Sequence, residues 1–144
     1  MIRTATIADC PAIQKINQEE LSYDYPVDKT EGSLKQILNA STHYLLVYVN
    51  DQTSQVEGYV HAELFLETYF SPMFDILALA VAKDAQQKGI GSQLMTQIEE
   101  KAKSLGVDSV RLNSGEERTG AHRFYEKIGY TCTKKQKRFF KKLR

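Results

Sequence analysis

Only two cysteines occur in the 144 residues, Cys10 and Cys132, and neither stands in a CxxC pair or at a metal-ligand spacing with histidine. That excludes a disulfide framework and the usual sequence form of a metal site. The two thiols read as small apolar side chains in a reducing compartment. No apolar run approaches the ~18 residues that a membrane span needs. The opening MIRTATI has no basic-then-apolar leader pattern, so the expectation is a soluble, cytoplasmic protein with no membrane partner. A dominant charge is missing too: 19 Lys and Arg face 18 Asp and Glu, leaving +1. Bulk composition therefore gives no indication of nucleic acid as a partner. Lysine and arginine do crowd the last segment, from Lys134 to Arg144, where they read as a solvated strand edge guarded against aggregation. Repeats, low-complexity stretches and Pro/Gly/Ser linkers are absent, which predicts a single domain over residues 1–144.

What is present alternates between two periods. Residues 2–7 alternate apolar and polar, predicting a first strand. Asp9 then reads as a helix N-cap, with Pro11 in the first turn and Ile13, Ile16 and Leu21 along an apolar stripe. After the Tyr23-Asp24-Tyr25-Pro26 break, Leu34, Ile37 and Leu38 mark a second short helix. Residues 43–49 and 56–65 are rich in β-branched and aromatic side chains, with a turn at Asn50-Asp51. In the second run Glu57, Tyr59, His61, Glu63 and Phe65 share one face. Residues 74–81 are apolar apart from Asp75, as in a strand buried on both faces.

From Ile90 the period becomes helical through Leu105, with Glu99 and Lys103 placed to pair and Gly106 as the stop. A strand over 107–112, a helix over 119–128 stopped by Gly129, and short strands over 130–134 and 138–141 complete the expectation. The order, β-α-α-β-β-β-α-β-α-β-β, is that of an α/β sheet of mixed direction.

The chemistry concentrates where the strand ending at Val81 meets the helix starting at Ile90. Unpaired N–H groups at a helix N-terminus bind phosphates, and glycines at 89 and 91 let backbone approach an anion. A Walker loop is excluded because no Lys-Ser or Lys-Thr follows the glycines, and a dinucleotide fingerprint because Leu94 stands where GxGxxG needs glycine. Gln86-x-x-Gly89-x-Gly91 remains. By itself it equally describes two glycines easing a turn. A second motif lies one helix and one strand later: Arg118-Thr119-Gly120-Ala121-His122-Arg123-Phe124-Tyr125-Glu126-Lys127-Ile128-Gly129-Tyr130.

Together the two stretches resemble the GNAT superfamily of N-acetyltransferases, whose glycine loop is [Gln/Arg]-x-x-Gly-x-[Gly/Ala] and whose last helix reads A-x-x-[FL]-Y-x-x-x-G-[FY]. The Ala121-His122-Arg123-Phe124-Tyr125 wording is most similar to the branch containing aminoalkylphosphonate N-acetyltransferases. The resemblance implies a GNAT fold, a mixed and mostly antiparallel sheet with a central splayed parallel strand pair and about four flanking helices. It implies acetyl-CoA as cofactor and a small-molecule amine as the other partner, and it admits a homodimer.

On that resemblance the backbone of Leu79, Ala80 and Val81 holds the pantetheine arm, with the Leu79 N–H near the thioester oxygen. Gln86, Gln87, Lys88, Gly89, Ile90, Gly91 and Ser92 then bind the pyrophosphate. Arg118 stands where many relatives carry an asparagine that touches the coenzyme. Tyr125 matches the tyrosine that serves as acid for the departing thiolate, a role suited to a phenol with a pKa near ~10. Asp75, fourteen positions before Gly89, is the candidate base; a strand-end contact is its plain structural alternative. Tyr23, Tyr25, Tyr59, His61, Glu63 and Asp75 are the expected acceptor-site residues. A non-catalytic acyl-CoA-binding module and a protein acetyltransferase remain as alternatives.

Overall fold

In β2 (His43–Val49) Leu45, Val47 and Val49 are buried while the residues between them are half-exposed, the period of two that a strand covered on one face requires. It pairs antiparallel with β1 (Ile2–Thr4) on one side and with β3 (Val56–Glu67) on the other. β3 pairs antiparallel with β4 (Phe70–Val81), which in turn pairs parallel with β5 (Val110–Leu112). The sheet order is β1-β2-β3-β4-β5. The computed structural model describes residues 1–144, which divide into two compact units, Met1–Asn113 and Ser114–Arg144.

In the first unit the helices α1 (Cys10–Leu21) and α2 (Val27–Asn39) and the sheet residues Leu45, Val47, Val49, Tyr59 and Ala80 share one core, to which Ile13, Ile16 and Leu34 contribute. Alternation sends Val60, Ala62, Phe74 and Ile76 to the opposite face, where α3 (Ile90–Ser104) contacts β2, β3 and β4. Leu94, Met95 and Ile98 of α3 are fully buried. Removing such a side chain to alanine costs on the order of 2–5 kcal/mol.

Several expectations shift. β1 stops at Thr4, and a 3-10 turn, Ile7–Asp9, precedes α1. Asp9 stands at the N-cap position of α1, but its side chain makes no capping hydrogen bond there. Its carboxylate accepts the Thr6 N–H at 2.8 Å and both guanidinium arms of Arg3 at 2.8 and 2.9 Å. The Arg3 hydrogen bonds hold its pKa below the usual carboxylate value. Lys103 Nζ lies 3.2 Å from Glu100 Oε1. β5 begins at Val110, three residues later than the sequence suggests.

The second unit contains α4 (Thr119–Lys127), followed by Gly129 at φ +104°. The strands expected over 130–134 and 138–141 do not form: residues 130–144 are neither helix nor strand. Phe139 and Phe140 are adjacent, so an extended chain turns them to opposite faces. Lysine or arginine at 134, 135, 137, 138, 141 and 142 leaves neither face apolar enough to anchor a strand. The parallel pair β4–β5 therefore stands at the end of the sheet, not at its centre.

Candidate active site

β4 runs twelve residues, yet β5 accompanies it only at Phe74, Asp75 and Ile76. From Leu77 to Val81 that flank of β4 has no strand beside it, so the two strands part where the resemblance expects a splay. The parting begins at a β-bulge. His61 opposes Ala78 and Ala62 opposes Ile76, so Leu77 is an inserted residue with no partner in β3, and its side chain is exposed. A bulge bends its strand and ends regular pairing. Leu79, Ala80 and Val81 thus offer main-chain groups along an open edge, while Ala80 also packs into the core.

The edge leads into a 3-10 turn, Lys83–Ala85, and then to Gly89 as the N-cap of α3. Gln87 and Gly89 both hold left-handed backbone, at φ +63° and +80°. These reversals aim the chain at the helix start, where Ile90, Gly91 and Ser92 have N–H groups with no acceptor in the preceding turn. The exposed Lys88 side chain adds a cation beside them. Gln86 does something else. Its amide nitrogen donates to the Val81 carbonyl and to Glu20 Oε1, both at 2.9 Å, so its side chain ties the loop to β4 and α1.

Sheet register assembles a polar row that the sequence does not reveal. His43 opposes Glu63, Glu63 opposes Asp75, and Asp75 opposes Arg111 across four strands. Arg111 Nε lies 3.6 Å from Asp75 Oδ1, and its guanidinium sits 4.8 Å over the Phe65 ring. Asp75 is half-buried. Burial raises its pKa, the Arg111 charge partly opposes this, and Glu63 adds to the rise. His43 Nε2 lies 3.5 Å from Glu63 Oε2, and His43 Nδ1 lies 3.0 Å from His61 Nε2. With the Nε2–H of His43 turned to the carboxylate, Nδ1 accepts from His61 Nε2–H. The two imidazoles and Ser33, Gln36, Ile37 and Ala40 line a cleft of about 420 Å³.

Burial and then the His43 charge push the His61 pKa down to about 4. The unfolded chain, with histidine near ~6.5, binds that proton more tightly. The contribution of neutral His61 is therefore complete above pH ~6.5 and is lost as pH falls through 4, about 3 kcal/mol in all. Urea midpoints of wild type against His61→Gln at pH 7, 5.5 and 4 check this. The difference should shrink toward acid, and parallel pH curves would refute it.

The three tyrosines expected at the acceptor site lie in different surroundings. Tyr59 is buried among Leu45, Val47 and Ile13, with its hydroxyl donating to Asn17 Oδ1. Burial drives its pKa up to about 12, so Tyr59 is a core residue: the position nearest α1 on its face lies under that helix. Tyr23 and Tyr25 are exposed in the α1–α2 connection. Missing from the sequence reading were His43 and Arg111, whose signal is cross-strand register alone.

In the second unit Tyr125 is half-buried on α4, edge-on to Phe124 and Tyr130 at 5.2 and 6.0 Å between ring centres. Burial raises its hydroxyl pKa against a lowering by the Arg118 charge. Arg118 precedes the helix and is exposed. His122 Nε2 lies 2.8 Å from the Gly115 carbonyl, closing the loop onto α4.

The sequence profile of the Acetyltransferase (GNAT) family matches residues 10–130, across both units. Aminoalkylphosphonate N-acetyltransferase of Salmonella typhimurium is 28% identical over 132 residues, 90% of this chain and 83% of that protein. Among solved structures, a transcriptional regulator from Bacillus halodurans superposes with TM-score 0.87 at 23% identity, covering 97% and 98% of the two chains. AAC(6')-Iy in complex with the bisubstrate analog CoA-S-monomethyl-acetylneamine gives 0.85 at 16% identity, covering 99% and 97%. The structural likenesses establish a shared fold.

Proposed function

The chain belongs to the acetyltransferase (GNAT) family, and on that premise we propose that it transfers the acetyl group of acetyl-CoA directly to the primary amine of a small molecule. The observation that carries this reading is the open flank of β4 leading, through two left-handed residues, to the bare N-terminus of α3. That run of main-chain donors fits a pantetheine arm followed by a diphosphate. Leu79, Ala80 and Val81 hold the amides; Gln87 to Ser92, with the Lys88 ammonium, hold the phosphates. An added Cβ at Gly89 meets nothing closer than Gln93 Nε2 at 3.9 Å, so the cradle has room above the glycine. In this reading Gln86 shapes the loop.

Bound acetyl-CoA supplies an activated acyl carbon. The chain's own residues do the rest. Asp75, with its carboxyl raised toward neutrality by burial, takes the proton that the acceptor ammonium must lose before its nitrogen is nucleophilic. Tyr125 keeps its proton at neutral pH and donates it to the sulfur as the thiolate departs. His61, neutral at physiological pH, and Glu63 give the acceptor side a hydrogen-bonding and acidic wall suited to a cationic amine. Aminoalkylphosphonates, named for the Salmonella relative above, and aminoglycosides, named for other acetyltransferases of the same fold, are the first compounds to try.

The test pairs calorimetry with turnover. Purified protein should bind acetyl-CoA and release free thiol with at least one member of a panel of aminoalkylphosphonates, aminoglycosides, polyamines and peptide N-termini. Binding without turnover on any amine would favour a regulatory acyl-CoA module. Turnover on peptides alone would make it a protein acetyltransferase. Absence of binding would end the loop assignment.

A further inference from the structure

The polar row across the sheet carries its charges in a fixed order. Glu63 and Asp75 are cross-strand partners, and Arg111 is the partner of Asp75 on its other side, away from Glu63. Two acids are thus followed by a cation on the last strand. The Arg111 side chain is 32% exposed and that of Asp75 13%, so solvent and small solutes reach the cation. Phe65 covers one face of the guanidinium, whose carbon lies 4.8 Å from the ring centre. A stacked guanidinium offers its partners the N–H edge. One terminal nitrogen donates to Asn113 Oδ1 at 3.2 Å. Nε lies 3.6 Å from Asp75 Oδ1, an ion-pair distance and too long for a hydrogen bond. Arg111 is therefore held beside Asp75 without being closed onto it.

A fixed cation beside the base imposes a condition on the acceptor. An alkylammonium that comes to Asp75 to lose its proton also comes close to the guanidinium and is repelled by it. An anionic group on the acceptor turns that repulsion into attraction, because a guanidinium edge gives a carboxylate, phosphate or phosphonate two parallel N–H bonds. We infer that Arg111 is the specificity-determining residue of the acceptor site and that the acceptor is a short amine bearing such an anion, an inference that rests on the acetyl-transfer reading above. The row also sets the acceptor's length. With the nitrogen at Asp75 and the anion over Arg111, the two groups stand about one strand spacing apart, ~4.8 Å, a separation suited to two or three intervening carbons. Glu63 lies on the far side of Asp75 from that anion and attracts the ammonium, so the acceptor has one favoured orientation along the sheet. Polyamines and aminoglycosides carry cations without an anion. Arg111 offers them nothing and disfavours their approach.

Steady-state acetylation by the full chain tests this with β-alanine and aminoethylphosphonate as anionic amines, propylamine as the neutral-ended control and putrescine as the dication. For the better of the two anionic amines, kcat/KM should exceed that for propylamine at least ~30-fold. Which of them leads distinguishes a carboxylate from a phosphonate. Arg111→Met should bring the ratio of anionic to neutral amine close to one. Arg111→Lys, which keeps the charge and loses the fork, should retain part of it. Arg111→Glu should invert the order in favour of putrescine, each variant having the wild-type far-ultraviolet circular dichroism spectrum. Equal turnover of anionic and neutral amines by wild type would overturn the inference. So would a ratio untouched by Arg111→Met, or variants in which every amine loses alike, the mark of a purely structural ion pair. If no amine is acetylated, calorimetry with and without coenzyme A decides separately from the catalytic reading. The anionic amine should still bind wild type, and bind Arg111→Met at least ~30-fold more weakly; a wild type that binds neither anionic amine overturns the assignment.

Discussion

Tyr125→Phe is expected to lower kcat for acetyl transfer by about a hundredfold or more, while the acetyl-CoA dissociation constant stays within about threefold. The substitution removes one oxygen and keeps the ring that packs edge-on against Phe124 and Tyr130, so the fold of α4 is retained. On the proposed reading, what is lost is a proton held ready for a sulfur that leaves with a full negative charge. Because burial raises the Tyr125 pKa, the hydroxyl remains a donor across neutral and mildly alkaline pH. Wild-type kcat should accordingly show no acidic-group loss from Tyr125 below the ordinary phenol range. Steady-state kinetics paired with calorimetry separate the two effects. An unchanged kcat would remove Tyr125 from the chemistry, and a parallel loss of affinity would make it a binding residue.

Gly89→Val should raise the KM for acetyl-CoA at least ~10-fold and cost about 1–2 kcal/mol of stability. The reason is conformational, not a matter of space. The site above Gly89 is open, with the nearest atom to an added Cβ 3.9 Å away. At φ +80°, however, a β-branched side chain collides with its own backbone. The chain must then leave the left-handed region, and the N–H groups of Ile90, Gly91 and Ser92 lose their common direction. Gly89→Asn provides the control, since asparagine tolerates that region. It should fall between glycine and valine in KM, with kcat near wild type for all three. A valine variant with wild-type KM would mean that the phosphates bind elsewhere.

The comparison of sequence with structure divides along a physical line. Local periodicity reveals β2 to the residue, and the start of α3 at Ile90, because burial of every second or every third-to-fourth side chain is written into neighbouring positions. The glycine loop is legible for the same reason: the need for φ > 0 at Gly89 is a local constraint. Leu77 as a bulge is not legible, since an inserted residue is defined only against the partner strand. The His43–Glu63–Asp75–Arg111 row likewise exists only through register, joining residues up to sixty-eight positions apart. Tyr59 misleads because alternation assigns it correctly to the face of His61 and Glu63 but cannot say that α1 covers that end of the face. The C-terminal strands fail in the opposite way. Tyr130 to Thr133 suit a strand, yet the cations between 134 and 142 leave neither face apolar enough to anchor one.

The open flank of β4 has a consequence for how such a protein diversifies. Main-chain amides are the same in every amino acid, so a grip on the acyl donor built from them survives mutation of almost any side chain along Leu77 to Val81. On the proposed reading the acceptor wall is made of side chains, those of His61 and Glu63, and can be rewritten one at a time. Donor recognition is thus inherited with the backbone, leaving acceptor choice free to drift, which is the condition under which one scaffold acquires many substrates.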